Sequence, residues 1–96
     1  MTMNDVKNYI RAIDEDDNIV QLCMESAKSY LQDAVDDFDM KYANGSTSWR
    51  AKADMAMMQL CSYYYENRGE TDNIDIPKAA RLIIYQLQNG GVTNAD

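Results

Sequence analysis

The feature that most constrains the fold is the spacing of the apolar residues, which recur every three or four positions along most of the chain. That spacing gathers them on one face of a helix, whereas a strand would alternate at every second residue. One Pro and four Gly are too few for the many turns of an all-β protein. The sequence therefore predicts an all-α fold, with residues 1–96 as a single small domain and residues 89–96 as a flexible tail.

Four helices are predicted, and the first two lie in the acidic half of the chain. The first is a short helix over residues 2–13, capped by Thr2 or Asn4. A run of acidic residues at 14–17 then interrupts the apolar pattern. The second is one long helix over residues 18–42, whose acidic C-terminal end opposes the helix dipole and favours fraying there.

The second half of the chain begins with the clearest break in the pattern. Gly45 is expected to form a left-handed C-cap, and Ser46 or Ser48 to cap the next helix, over residues 49–67. A polar loop then leads to the last helix, which starts at residues 76–77 (IP) with Pro in its favoured first position.

The charge balance limits the classes of partner. The net charge is −7, and residues 1–48 carry ten acidic and four basic side chains, a net charge of −6. Such a chain has no net attraction for phosphate backbones, so tight binding to nucleic acid is not expected. There is no His, which excludes imidazole as a base or metal ligand.

Neither the cysteines nor the apolar runs indicate a special environment. Cys23 and Cys61 are too few and too far apart for a zinc site, and both occupy apolar helical positions typical of buried free thiols. No apolar run approaches the roughly 20 residues of a membrane span, and no secretion leader opens the sequence. A soluble protein made in a cytoplasm, without a membrane partner, is expected.

The acidic run consists of Asp14, Glu15, Asp16 and Asp17. Together with Asn18 and Glu25 it matches part of the ligand spacing of a calcium-binding loop. However, Ile19 stands where that loop needs Gly, and the helical pattern already runs through this position. We therefore predict an exposed acidic loop that also caps a helix, and no metal site.

The segment 63–68 (YYYENR) permits three interpretations. Aromatic residues beside an Arg are common at protein–protein anchors. They also occur as a core cluster with an Arg at the helix end, or as a platform for RNA bases, which the net charge disfavours. The predicted interface residues are Trp49, Tyr64, Tyr65, Arg68, Ile84 and Leu87.

The last two helices carry more apolar residues than a 96-residue bundle easily buries. The surplus lies in residues 55–65 and 79–87, and it indicates self-association.

The acidic pair Asp36 and Asp37 lies on a polar face with no His or Gly-rich loop nearby. No catalytic residue, metal site or cofactor is predicted.

In their order and spacing, three groups of residues resemble the small head–tail connector (adaptor, or head-completion) proteins of tailed bacteriophages. They are residues 6–11 (VKNYIR) with 14–20 (DEDDNIV), then Ser26-Ala27 with Tyr30-Leu31, and finally Leu60 with 64–68 (YYENR) followed by 76–80 (IPKAA). The third group is the most specific, and the resemblance covers roughly residues 3–88. The chain departs from the family at its last helix, which ends in QLQN instead of a basic or Tyr-Arg element.

The resemblance implies an all-α subunit without enzyme activity that assembles into a ring of twelve copies within the virion. The ring would sit below the portal protein, extend the DNA channel and receive a stopper or tail-completion protein. The acidic loop at 14–17 would then be a candidate for the channel wall, past which DNA slides without specific binding.

Two other classes of function remain open. An acidic helical binding module, such as a DNA mimic or a regulatory adaptor, would bind a basic protein through Asp33, Asp36, Asp37 and Asp39. A small enzyme or calcium protein is the third hypothesis.

Overall fold

The computed structural model describes residues 2–12, 14–67 and 76–90. Within these ranges the chain forms five α-helices and no strand, which confirms the predicted all-α class. The elements are α1 (Met3–Ile10), a 3-10 turn (Asp14–Asp16), α2 (Asp17–Ala34), α3 (Phe38–Asn44), α4 (Thr47–Glu66) and α5 (Lys78–Gly90). Helix α5 includes the first two positions of the predicted tail, and residues 91–96 lie outside the described ranges.

Helix α1 begins with the predicted Thr2 cap. The Thr2 hydroxyl accepts a hydrogen bond from the Asp5 backbone N–H at 3.2 Å. The Asp5 carboxylate in turn accepts one from the Thr2 N–H at 2.9 Å, which completes a capping box. The helix ends earlier than predicted because Arg11 adopts a left-handed conformation, with φ 59° and ψ 41°.

The prediction of one long helix over residues 18–42 is wrong. Helix α2 ends at Ala34, Val35 is extended, and Asp37 is left-handed, with φ 56° and ψ 37°. Asp is one of the few non-glycine residues that visits this region readily. The chain therefore turns between Val35 and Phe38, and both side chains are buried on either side of the turn.

The turn between α3 and α4 follows the predicted break with one correction. Gly45 is extended, with φ −77° and ψ 170°, and is not a left-handed cap. Ser46 rather than Ser48 caps α4, because its hydroxyl accepts a hydrogen bond from the Trp49 N–H at 3.0 Å. Helix α5 begins at Lys78, directly after Pro77, whose carbonyl accepts from the Arg81 N–H.

Helix α4 is the centre of the core and packs against α1, α2 and α5. Its buried side chains are Trp49, Ala53, Ala56, Leu60 and Cys61. Two hydrogen bonds hold the C-terminal part of α5 in place. The Trp49 indole N–H donates to the Leu87 carbonyl at 3.4 Å, and the Gln88 amide donates to the Ala34 carbonyl at 2.7 Å. The start of α4 and the end of α2 therefore both anchor α5.

Candidate interaction surfaces

Three of the predicted interface residues belong to the core of the single chain. The exposed fraction is 2% for Trp49, 6% for Ile84 and 0% for Leu87. These side chains are already covered by other parts of the same chain, so we assign them to folding and not to a surface that a partner contacts. Arg68 lies outside the described residues.

The consecutive tyrosines of α4 point in different directions, because successive residues of a helix are rotated by about 100°. The Tyr65 hydroxyl donates a hydrogen bond to the Asp16 carboxylate. Tyr64 packs edge-on against Tyr63, with ring centroids 6.0 Å apart. Tyr64 also lines a groove beside α2, where burial raises the pKa of its hydroxyl. The tyrosines therefore do not form one aromatic platform.

Two of the four acidic-loop residues hold neighbouring elements together. The Asp17 carboxylate forms an ion pair with the Lys7 ammonium of α1 at 2.7 Å, and half-buried Asp16 accepts the Tyr65 hydrogen bond from α4. Glu15 is exposed, and the side chain of Asp14 lies outside the described residues. The segment therefore serves as a junction of α1, α2 and α4 as well as an acidic surface.

The calcium arrangement is incompatible with this backbone. Asn18 and Glu25 both lie on α2, where seven residues separate them by about 10 Å along the axis. Among the residues that the structure describes, no three acidic or thiol side chains come together as a possible metal site.

The outer face of α5 lies within the apolar surplus predicted at residues 79–87, but its exposed side chains are not the predicted Ile84 and Leu87. Leu82 and Tyr85 are 56% and 64% exposed, and Lys78 and Arg81 are exposed beside them. Positions 78, 81, 82 and 85 share one helical face. Helix α5 contains no acidic residue, so in a chain of net charge −7 this face is both apolar and basic. The two basic residues are the signal in the sequence that could have identified this face, and not the face of Ile84, as the exposed one.

A shallow groove of about 440 Å³ runs between α2 and α4. Tyr30 and Tyr64 form its aromatic wall, and the small side chains of Ser26 and Ser29 leave room above α2. Leu22, which is 63% exposed, lies at its edge with Glu25 and Asp33. We call it the Tyr64 groove. It is lined by acidic, apolar and small neutral side chains, with no basic one.

A second groove, of about 470 Å³, lies between α2, α3 and α4. Its apolar part includes Met24, Phe38 and Met57. Asp54 accepts a hydrogen bond from the Tyr42 hydroxyl at 2.7 Å, and this bond is the main reason that the pKa of Tyr42 is raised. This groove therefore already contains internal polar contacts, unlike the outer face of α5.

Cys61 is a buried thiol of α4 whose pKa is raised. It is fully buried, and burial, reinforced by nearby Cys23, raises its pKa to about 12. At neutral pH the side chain is a thiol, and a thiol is a poor nucleophile. Cys61 is therefore a core residue of α4, as expected for a buried free cysteine.

No helix within the described ranges combines the length and apolar character needed to cross a membrane. Comparison of the chain with protein-family models, with curated proteins and with solved structures produced no match in any of the three.

Proposed function

We propose that this chain is a structural subunit of a tailed phage or prophage particle that assembles into a closed ring at the head–tail junction. The observation that carries the proposal is the presence of two chemically opposite surfaces on one small helical domain. One is the basic, apolar outer face of α5, and the other is the acidic Tyr64 groove. A ring needs two different patches on each subunit, whereas a two-fold dimer needs only one.

The resemblance to phage connector proteins supplies the location and the partners. In this proposal about twelve copies form the ring, which lies below the portal protein in the virion and receives a stopper or tail-completion protein. The sequence motifs that support it are residues 64–68 and 76–80. Arg68 keeps its proposed role as an anchor residue of the interface. If an Arg68→Ala variant still assembled complete particles, that role would be refuted.

The surface charge suits a channel through which DNA passes. Asp36, Asp37 and Asp39 are all exposed near the junction of α2 and α3. A ring of subunits that each carry −7 repels phosphate groups, so DNA would move through it without being held.

The proposal is tested by native mass spectrometry of the purified chain, alone and after mixing with portal rings from the same phage genome. A closed oligomer, or a stoichiometric layer of the chain on the portal, is the expected result. A monomer or dimer in both samples would refute the ring. Portal rings from an unrelated phage serve as the control for non-specific adsorption.

The exposure of Asp33, Asp36, Asp37 and Asp39 favours a second candidate, an acidic module that binds a basic protein. Its signature would be a stable one-to-one complex whose affinity falls steeply as salt is raised. Reversing Asp33 and Asp36 to Lys would abolish such a complex, whereas the same change at Glu15 and Glu66, which are exposed outside the cluster, would not.

A further inference from the structure

We propose that neighbouring copies join when the outer face of α5 of one copy docks into the Tyr64 groove of the next. This inference rests on the proposed ring, because it names the contact that would close it. It joins Leu82 and Tyr85 to the groove, with Lys78 and Arg81 facing Glu25 and Asp33.

The outer face of α5 has the properties of an uncovered contact. More than half of the surface of both Leu82 and Tyr85 is exposed. The two residues are three positions apart, so they lie side by side on the same face of α5. Within the described ranges, neither Lys78 nor Arg81 forms an ion pair with an acidic side chain. A large aromatic and a leucine beside unpaired basic residues are typical of a docking face.

The Tyr64 groove offers this face small side chains and opposite charge. Ser26 and Ser29 are small, so a helix that presents Leu82 and Tyr85 can approach α2 closely there. Glu25 and Asp33 are eight residues apart on α2, which places them about 12 Å apart along its axis. Lys78 and Arg81 are three residues apart on α5, about 4.5 Å along its axis, so their long side chains must spread to meet both carboxylates. Such opposite charges orient an approaching basic helix more than they add affinity.

A second copy is the occupant that the charges select. No residue of α5 lines the Tyr64 groove of its own chain, so both surfaces are available at once. A symmetric contact of α5 with α5 would bring Lys78 and Arg81 against their own copies, and like charges at an interface are unfavourable. We therefore infer a contact of α5 with the groove, and head-to-tail contacts of that kind form rings when the rotation closes.

The first experiment is a charge swap read by native mass spectrometry. We expect the double change Lys78→Glu with Arg81→Glu to abolish the oligomer, and Glu25→Lys with Asp33→Lys to do the same. Mixing the two variants should restore a mixed contact, because each supplies the charge that the other needs. The matched control is Arg50→Glu with Lys52→Glu, which makes the same charge change on exposed residues of α4 and should leave the oligomer intact.

The second experiment fixes the geometry of the contact independently of ring closure. One preparation carries Leu82→Cys and the other carries Ser29→Cys, and a short bismaleimide is added to each alone and to the mixture. A covalent dimer that forms in the mixture far more than in either preparation alone is the expected result. The same experiment with Arg50→Cys in place of Leu82→Cys should give no such dimer.

The outcomes separate this inference from the proposed function. If the wild-type chain forms rings and the Lys78/Arg81 variant forms them equally well, the docking is refuted and the ring remains. If the wild type forms neither a ring nor a layer on the portal, the function is refuted, and the cross-link decides whether the two faces still meet in smaller oligomers. The absence of both ring and cross-link overturns both.

Discussion

While the chain is folded, Cys61 should react with thiol reagents far more slowly than an exposed cysteine. Its side chain is fully buried on α4, and its pKa is about 12 where an ordinary value is 9.0. Only the thiolate attacks an electrophile, and that difference in pKa leaves about 1,000-fold less thiolate at mildly alkaline pH. The higher intrinsic nucleophilicity of a less acidic thiolate offsets part of this factor, whereas steric exclusion from the core adds to it, so we expect protection on the order of 1,000-fold in the native state.

The assay is timed alkylation with iodoacetamide, with the modified peptide identified by mass spectrometry so that Cys61 is followed separately from Cys23. The control is an Arg50→Cys variant, because position 50 is exposed on α4, outside both proposed contact surfaces, and should label at the rate of a free thiol. In denaturant, Cys61 and the thiol introduced at position 50 should label equally fast. Equal rates in the native protein, with the helical circular dichroism intact, would refute the reasoning.

The same raised pKa has a consequence for stability at high pH. Below about pH 9 the thiol is protonated in both the folded and the unfolded chain, so its contribution to stability is fully present. Between about pH 9 and 12 the unfolded chain ionises first, and the free energy of unfolding falls as the pH rises. Denaturation midpoints measured at steps across this range should fall, and replacing Cys61 with Ala should remove that part of the slope.

Four further predictions concern the fold. Leu60→Ala, at a fully buried position of α4, should lower the free energy of unfolding by about 2–5 kcal/mol, as measured by urea denaturation. Ser46→Ala should cost about 1 kcal/mol because it removes the α4 cap, whereas Ser48→Ala in the same assay should be nearly neutral. Asp37→Val should cost about 1–2 kcal/mol, because a β-branched residue fits the left-handed conformation poorly, while Asp37→Asn should cost little. The pKa of Asp5 is lowered, mainly by the hydrogen bond from the Thr2 N–H. The α1 cap should therefore be fully formed above pH 3.8, the ordinary pKa of Asp, and should be lost as the pH falls through the lowered pKa of Asp5. The NMR chemical shifts of the Thr2 and Asp5 amides should report this transition, and an Asp5→Asn variant should lack it.

The apolar spacing predicts the helices well because it records which face of each one is buried. Cys23 and Cys61 were predicted at apolar helical positions typical of buried thiols, and both are buried. The caps at Thr2 and Ser46 follow from local chemistry within four residues, which a sequence carries explicitly.

The break between α2 and α3 was not predictable in the same way. Val35 and Phe38 keep a helical spacing of three, and both are buried, so the apolar pattern continues across the turn. The left-handed Asp37 is permitted by its residue type and not required by it. The acidic residues at 36–39 were a correct signal of a weak helix end, and the helix ends several residues before the predicted fraying.

The interaction surfaces were predicted least well because they depend on which side of an almost wholly apolar helix meets α4. In α5 the apolar residues cover most of the circumference, so Ile84 and Leu87 could not be distinguished from Leu82 and Tyr85 by hydrophobicity. The partners of Asp16 and Asp17 lie on α4 and α1. Contacts of that kind are set by packing and leave no mark in local spacing.

Trp49 gives the protein an internal optical probe. It is the sole tryptophan of the chain, and it lies where three helices meet, beside Phe38 of α3 at a centroid distance of 5.8 Å and hydrogen-bonded to Leu87 of α5. A partner that covers only the outside of α5 would leave the indole dry and its fluorescence maximum unchanged. A partner that lifts α5 off the core would admit water to the indole and move the emission to longer wavelength, so one unlabelled spectrum distinguishes rigid docking from opening of the subunit.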